Sequence, residues 1–279
     1  MLNIRKNRFL NTKLSSTTFE KLIKLRNKHE GESCYIFGNG PSIKWLELSK
    51  FNDRPAITSG QLHYHKEFKE LDVRYLCLVE PWFFTSPLFR RPFVTKGQSR
   101  IIEDHKKIKI DYTKLVENSS DKTFFINLSN FFHLRGDNVN YVYKTLPYDQ
   151  ESELFKGYDL FSGSFFATLS LAYYLGFKKV SMVGFDAWTL EPAMNKRYYE
   201  FGSGIPSGHE PIRESLLEIF KSLMDISVVS HKSSSPVLNY IDYEQFYKIK
   251  AVYRENYEII PKHYLEMMNA CSGYEVYDH

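Results

Sequence analysis

The stretch Cys34-Tyr35-Ile36-Phe37-Gly38-Asn39-Gly40-Pro41-Ser42 decides how this chain is read. Its first four residues form an apolar run of strand length. Two glycines and a proline then close a tight turn. Pro41 falls near a first helical position, where its missing N–H costs nothing. Ile43, Leu46 and Phe51 follow at roughly amphipathic-helix spacing. Strand, tight turn and helix in this order form the opening unit of an open α/β sheet.

The same alternation recurs along the chain. Ala56-Ile57-Thr58, Tyr75 to Val79, Phe124 to Leu128, Lys179 to Gly184 and Ile226 to Ser230 read as further strands. Helices are expected over about 162–176 and 211–224. The pattern predicts an α/β domain with a doubly wound, mostly parallel sheet and helices on both faces. That domain spans 33–235. Residues 1–32 read as an N-terminal helical appendage, with Phe19, Leu22, Ile23 and Leu25 at helical spacing. Residues 236–279 are Tyr-rich and read as a C-terminal helical segment. The stretch holding Arg90, Arg91, Lys96, Arg100, Lys106 and Lys107 reads as basic and irregular. Residues 187–210 contain Pro192, Gly202, Gly204, Pro206 and Gly208, and read as a long loop or lid leaving a central strand.

Composition narrows the class. Charged residues make up 25% and hydrophobic ones 43% of 279 residues, which excludes disorder throughout. There are 37 Lys and Arg against 33 Asp and Glu, a formal net charge of +4. That excess admits an anionic ligand or a membrane surface and does not call for nucleic acid. Cys34, Cys77 and Cys271 lie far apart without zinc spacing, which suits a reducing compartment. After Met1 the chain is polar and basic, so no secretory signal is expected. Leu160 to Phe177 is an uncharged run of 18 residues, the length of a membrane span. Six of the 18 are Ser, Thr or Gly, and a strand follows at once, so a buried helix is expected instead.

Four constellations bear on chemistry. Gly38 and Gly40 let the backbone approach a ligand closely, and the N–H groups of a helix start favour an anion. The turn is not the full dinucleotide fingerprint, because position 43 is Ile, nor a P-loop. Its bland reading is a tight βα turn. Ser162-Gly163-Ser164 opens the uncharged helix, either as a cap or as a polar edge facing the same ligand. In open α/β sheets that edge lies outside the carboxyl ends of the strands. Asp186, in Gly184-Phe185-Asp186-Ala187-Trp188, either orients its loop or touches ligand hydroxyls. His209, in Gly208-His209-Glu210 at the end of the lid, is placed to take a proton from an attacking hydroxyl. His63 and His65 alternate as on a strand face with no third metal ligand, and Arg135-Gly136-Asp137 reads as a plain turn. No G-x-S-x-G elbow and no Asp-x-Asp metal clamp occurs.

In this order, these pieces resemble the bacterial sialyltransferases of glycosyltransferase family 42 over about residues 33–235. The Gly-Asn-Gly-Pro-Ser turn also occurs in related nonulosonate transferases and in pterin pyrophosphokinase-like proteins. The Gly-His after the lid is the more discriminating feature. The resemblance implies a GT-A-like single Rossmann domain with a small lid. It also implies CMP-sialic acid or a related CMP-sugar as donor, a glycan acceptor, inversion at the anomeric carbon, and no metal or other cofactor. Gly38, Asn39, Gly40, Ser42 and Gln61 would contact the cytidine nucleotide, Ser162 with Gly163 would open the helix beside it, and His209 would act as general base. Relatives further imply a homo-oligomer on the cytoplasmic side, peripheral to the inner face of the membrane, in lipooligosaccharide or capsule biosynthesis.

The chain departs from the family pattern twice. Glu80-Pro81 stands where the family has Asn-Pro, so Glu80 is expected to face a ribose hydroxyl or a different donor. Of the two tyrosines that serve the leaving phosphate, the first falls on Trp188, whose indole donates one hydrogen bond but does not readily transfer a proton. The second is Tyr198 or Tyr199. Glu80 and Trp188 favour one rival, a non-catalytic nucleotide- or glycan-binding module on the same fold. The other rival is an ATP-dependent, pyrophosphokinase-like phosphoryl transferase.

Overall fold

A computed structural model of the chain describes residues 20–80, 83–84, 106–142, 163–186, 193–194, 196–204, 206–207, 214–231, 235, 237–271 and 274–278. In chain order the strands are β1 (Ser33–Phe37), β2 (Ala56–Ser59), β3 (Val73–Leu78), β4 (Thr123–Asn127), β5 (Val139–Val142), β6 (Lys179–Val183), β7 (Ala193–Met194), β8 (Pro206–Ser207), β9 (Asp225–Ser230) and β10 (Asn239–Asp242). The helices are α1 (Lys106–Asn118), α2 (Ser164–Leu175), α3 (Glu214–Leu223), α4 (Tyr243–Tyr247), α5 (Asn256–Ile259) and α6 (Lys262–Asn269). Eight strands form one sheet in the order β10-β9-β6-β1-β2-β3-β4-β5. Every neighbouring pair is parallel, so the chain has an α/β, Rossmann-like fold.

Both faces of the sheet are covered. On β1, Cys34 and Ile36 face α2 and α3, whereas Tyr35 and Phe37 join the core of the opposite face. That alternation is the period of a strand. Burial on both faces is why these strands read as continuous apolar runs. The uncharged helix is α2, and ten of its residues are buried. It ends at Gly176, whose φ of +93° takes the left-handed conformation that closes a helix. No helix among the described residues is long and apolar enough to cross a membrane.

Several expectations change. The helix after the first turn is two short 3₁₀ turns, Pro41–Trp45 and Leu48–Lys50. Distant partners take the carbonyls that a helix would use: Arg254 N donates to Lys44 O at 2.9 Å, and the Arg254 guanidinium donates to Leu46 O. Part of the basic stretch is α1, whose buried Ile108, Tyr112 and Val116 recur every fourth residue. The segment 236–279 is not wholly helical, because β10 adds the outermost strand beside β9. His63 and His65 lie on a 3₁₀ turn and its cap, not on a strand. Residues 187–210 include a two-residue antiparallel ribbon, β7 with β8. All three cysteines are buried free thiols.

The order in which strands are added switches sides between β1 and β6, which run parallel, and the two meet at glycine. A Cβ on Gly38 would lie 2.3 Å from Gly184 O, and one on Gly40 2.8 Å from the same oxygen. Gly38→Ala should therefore cost about 1–3 kcal/mol through overpacking, read as a lowered urea midpoint with an unchanged slope. A second prediction concerns His65. Its Nδ1 accepts from Glu67 N at 3.1 Å, and burial holds its pKa down to about 4. Above the ordinary value near 6.5 this group has no effect on stability. As pH falls from there towards 4 the unfolded chain gains a proton that the folded chain refuses. Stability should fall by roughly 1.4 kcal/mol per pH unit in that window, and His65→Asn should flatten the slope in denaturation curves taken at several pH values.

Candidate functional site

The turns after β1, β2 and β3 surround a cavity of about 450 Å³ at the carboxyl edge of the sheet. Asn39 comes from the first turn, Gly60 and Gln61 from the second, and Val79 and Glu80 from the third. Ser164 at the start of α2 and Tyr112 of α1 add to the wall, as do Arg197, Tyr199 and Tyr274. The cavity lies over β1–β3, and at the boundary of β1 with β6 Gly38 and Gly40 pack against Gly184 and Asp186.

Asn39 joins two turns. Its Oδ1 accepts from Gln61 N at 3.2 Å, and its Nδ2 donates to Gln61 Oε1 at 3.2 Å. Gly60 makes room for it. At φ +72°, a Cβ on Gly60 would lie 1.9 Å from Asn39 Nδ2. The Tyr112 hydroxyl donates to Gly60 O at 2.6 Å, and Gln61 Nε2 donates to the Tyr274 hydroxyl at 3.2 Å. The two amides expected to read a nucleotide are thus held against each other at the cavity wall.

Gly38, Gly40, Ser42 and Asp186 stand behind that wall. Ser42 N donates to Asp186 Oδ2 at 2.7 Å, and both residues are buried. Asp186 orients the first turn and does not line the cavity. Gly38 and Gly40 serve the approach of backbone to backbone, where the sequence suggested approach to a ligand. The N-cap of α2 is Gly163 at φ +80°, with no side-chain cap, and Ser164 reaches the cavity. Ser162, Trp188 and His209 lie outside the described residues.

The middle of the lid is fastened on several sides. Tyr198 N donates to Asn39 O at 2.9 Å, and the Tyr198 hydroxyl donates to Gln61 O at 2.6 Å. Tyr198 is 0% exposed, so it positions the turns and does not face the cavity. Tyr199 lines the cavity and makes no side-chain hydrogen bond among the described residues. Burial pushes its phenol up, so it remains a proton-bearing donor at neutral pH. Lys44 ties the segment down from below. Its Nζ donates to Glu200 O at 2.6 Å, to Gly202 O at 2.7 Å and to Glu255 Oε2 at 3.0 Å. Burial pulls the Lys44 ammonium below its usual value, and Glu255 pulls it back. Asn256 Nδ2 donates to Tyr199 O at 2.9 Å, and Phe201 N to Glu275 O at 2.7 Å. Residues 196–202 are therefore a fixed wall, not a free flap.

Comparison with known families finds no match, and comparison with curated proteins finds none. The site therefore has to be judged on its own chemistry. Among the described residues, Arg197 is the one cation in the cavity wall and Glu80 the one carboxylate. The Arg197 side chain is about half exposed, and its guanidinium lies 3.8 Å from Glu200 Oε1 and 6.0 Å from the Tyr199 ring centre. The wall combines amide groups, a cation, a carboxylate and aromatic rings, a set suited to a polar ligand. Among the described residues, no group of three or more His, Cys, Asp and Glu side chains is placed to hold a metal ion.

Sequence reasoning passed over Arg197, Tyr112 and Tyr274. Arg197 adjoins the candidate tyrosines, and its signal was a cation beside them in the lid. Tyr112 and Tyr274 carry no local signal, because they reach the cavity only through α1 and the C-terminal tail. Lys44→Met should lower stability by about 3 kcal/mol, the scale of breaking a buried pair. Adding Glu255→Gln should restore part of that loss, because no orphan charge remains. Urea denaturation of the single and double variants checks both.

Proposed function

We propose that this chain is an inverting glycosyltransferase that moves sialic acid, or a related nonulosonate, from its CMP ester to a glycan hydroxyl. The observation that carries the reading is the cavity at the ends of β1–β3, where Asn39, Gln61, Arg197 and Tyr199 converge. Its volume of about 450 Å³ is in the range of small-molecule sites. The order of motifs noted in the sequence supports the same reading.

In this proposal Asn39 and Gln61 hold the cytidine, and Glu80 accepts from a ribose hydroxyl. Arg197 pairs with the donor's negative charge, either its phosphate or its sugar carboxylate. His209 removes the proton from the acceptor hydroxyl. The acceptor oxygen attacks the anomeric carbon from the face opposite the nucleotide, and the bond from that carbon to the phosphate oxygen breaks. CMP leaves with the electron pair, and Tyr199 donates a hydrogen bond to the charge that develops on its phosphate. Tyr198, whose hydroxyl is committed to Gln61 O, holds the turn in register.

The test is CMP release from CMP-sialic acid with EDTA present. Wild type should release CMP, and His209→Ala should do so about 100-fold more slowly or worse, the scale of one general base. Near-normal turnover in that variant rejects the assignment of the base. Arg197→Ala should raise the KM for donor about tenfold or more, because a hydrogen bond to a charged group is lost. Thermal-shift titration should show stabilisation by CMP above UDP and ATP. Stabilisation by ATP that needs Mg²⁺ would point to phosphoryl transfer. CMP binding without turnover over a range of acceptors would point to a binding module.

A further inference from the structure

A second cavity, of about 670 Å³, lies on the other side of the Leu62–Tyr64 turn from the first. Both flank α1: Tyr112 lines the first, and its neighbours Asp111 and Lys114 line the second. The second is strongly cationic. Among the described residues, Lys66, Lys69, Lys114 and Lys122 line it against one carboxylate, Asp111. Asp111 is occupied, since its Oδ2 lies 3.1 Å from His63 Nε2.

The lysines differ in what they hold. Lys66 Nζ donates to Glu258 O at 2.5 Å, and Lys122 Nζ lies 2.7 Å from Asp121 Oδ2. Lys69 and Lys114 are exposed, and their side chains make no hydrogen bond or ion pair among the described residues. Three buried polar atoms of lining residues also have no hydrogen-bond partner among the described residues: His63 Nδ1, His65 Nε2 and the Tyr64 hydroxyl. The Glu67 N–H occupies His65 Nδ1, which places the proton on Nε2. His65 Nε2 and the Tyr64 hydroxyl are thus buried donors, of the kind that folded chains normally pair.

We propose that this second cavity binds an acidic glycan segment, with Lys69 and Lys114 as its principal charge contacts. The proposal rests on the reading that the first cavity acts on glycans, and names the part of the acceptor that lies beyond the reacting hydroxyl. Charge complementarity argues for an oligoanion. Concavity argues for a chain and against a bilayer, because a flat headgroup surface cannot enter a cavity. The rings of Phe68 and Tyr264 in the same wall suit the apolar faces of sugar rings.

The experiment measures binding of oligosialic acid to the full chain by calorimetry at low and moderate salt. Neutral dextran of matched length and phosphatidylglycerol vesicles serve as comparisons. Oligosialic acid should bind, weaken with salt as exposed charge pairs do, and lose at least tenfold in affinity in Lys69→Glu/Lys114→Glu. The same number of reversals on the exposed Lys24 and Lys28 should leave it within twofold. No binding, equal binding by both double variants, equal binding of dextran, or vesicle binding with the same lysine dependence would each overturn the proposal. The CMP thermal shift of Lys69→Glu/Lys114→Glu should match wild type, which shows that the fold and first cavity are intact. Oligosialic acid binding without CMP release would reject the transferase reading and leave this site standing. CMP release without lysine-dependent binding would do the reverse.

Discussion

The structure turns on how closely β1 and β6 approach each other. At the point where the strand order switches sides, Gly38 and Gly40 lie against the carbonyl of Gly184, at distances that no side chain would permit. Gly38 N donates to Val183 O at 2.8 Å and Gly40 N to Gly184 O at 2.6 Å, so the sheet ladder continues past the end of β1 into the turn. Asp186 then holds Ser42 N. Together these contacts set the direction in which the first turn leaves the sheet, and thereby aim Asn39 at Gly60 and Gln61. A residue larger than glycine would displace the turn, and every hydrogen bond of Asn39 with it.

The second constraint is the buried ammonium of Lys44. A charge at 0% exposure is costly unless it is fully paired. Here two carbonyls of the lid segment and the Glu255 carboxylate surround it. The same carboxylate accepts from the Tyr253 hydroxyl and from Gly202 N at 3.1 Å. The first turn, the lid segment and the C-terminal segment are therefore joined through one ion pair. Chain order gives no hint of this, since Lys44 and Glu255 stand 211 residues apart. The consequence for function is that Arg197 and Tyr199 sit on a fixed wall.

The positions of the strands are legible because parallel strands buried on both faces leave unbroken apolar runs, such as Tyr35-Ile36-Phe37 and Leu76-Cys77-Leu78. The short strands β5 and β10 are not, being only four residues each with polar residues among them. The 3₁₀ turns after β1 read as a helix in the sequence because Ile43, Leu46 and Phe51 satisfy a helical spacing, and only the distant Arg254 withdraws the carbonyls. Of the candidate site, Asn39, Gln61, Glu80 and Tyr199 do meet at one cavity. Gly38, Gly40, Ser42 and Asp186 support it from behind, and Tyr198 is spent on Gln61 O.

The sequence by itself determined the class of fold, the place of the first βα turn and the edge of the sheet where polar residues gather. It could do so because strand periodicity, glycine geometry and chain alternation are local properties. Only the tertiary structure decided which way each side chain is used. Arg197, Tyr112 and Tyr274 come from three distant segments, and their meeting depends on packing that no local pattern encodes. The same holds for the cationic cavity beside α1, whose lysines are ordinary surface residues until the Leu62–Tyr64 turn, α1 and α6 bring them around one space.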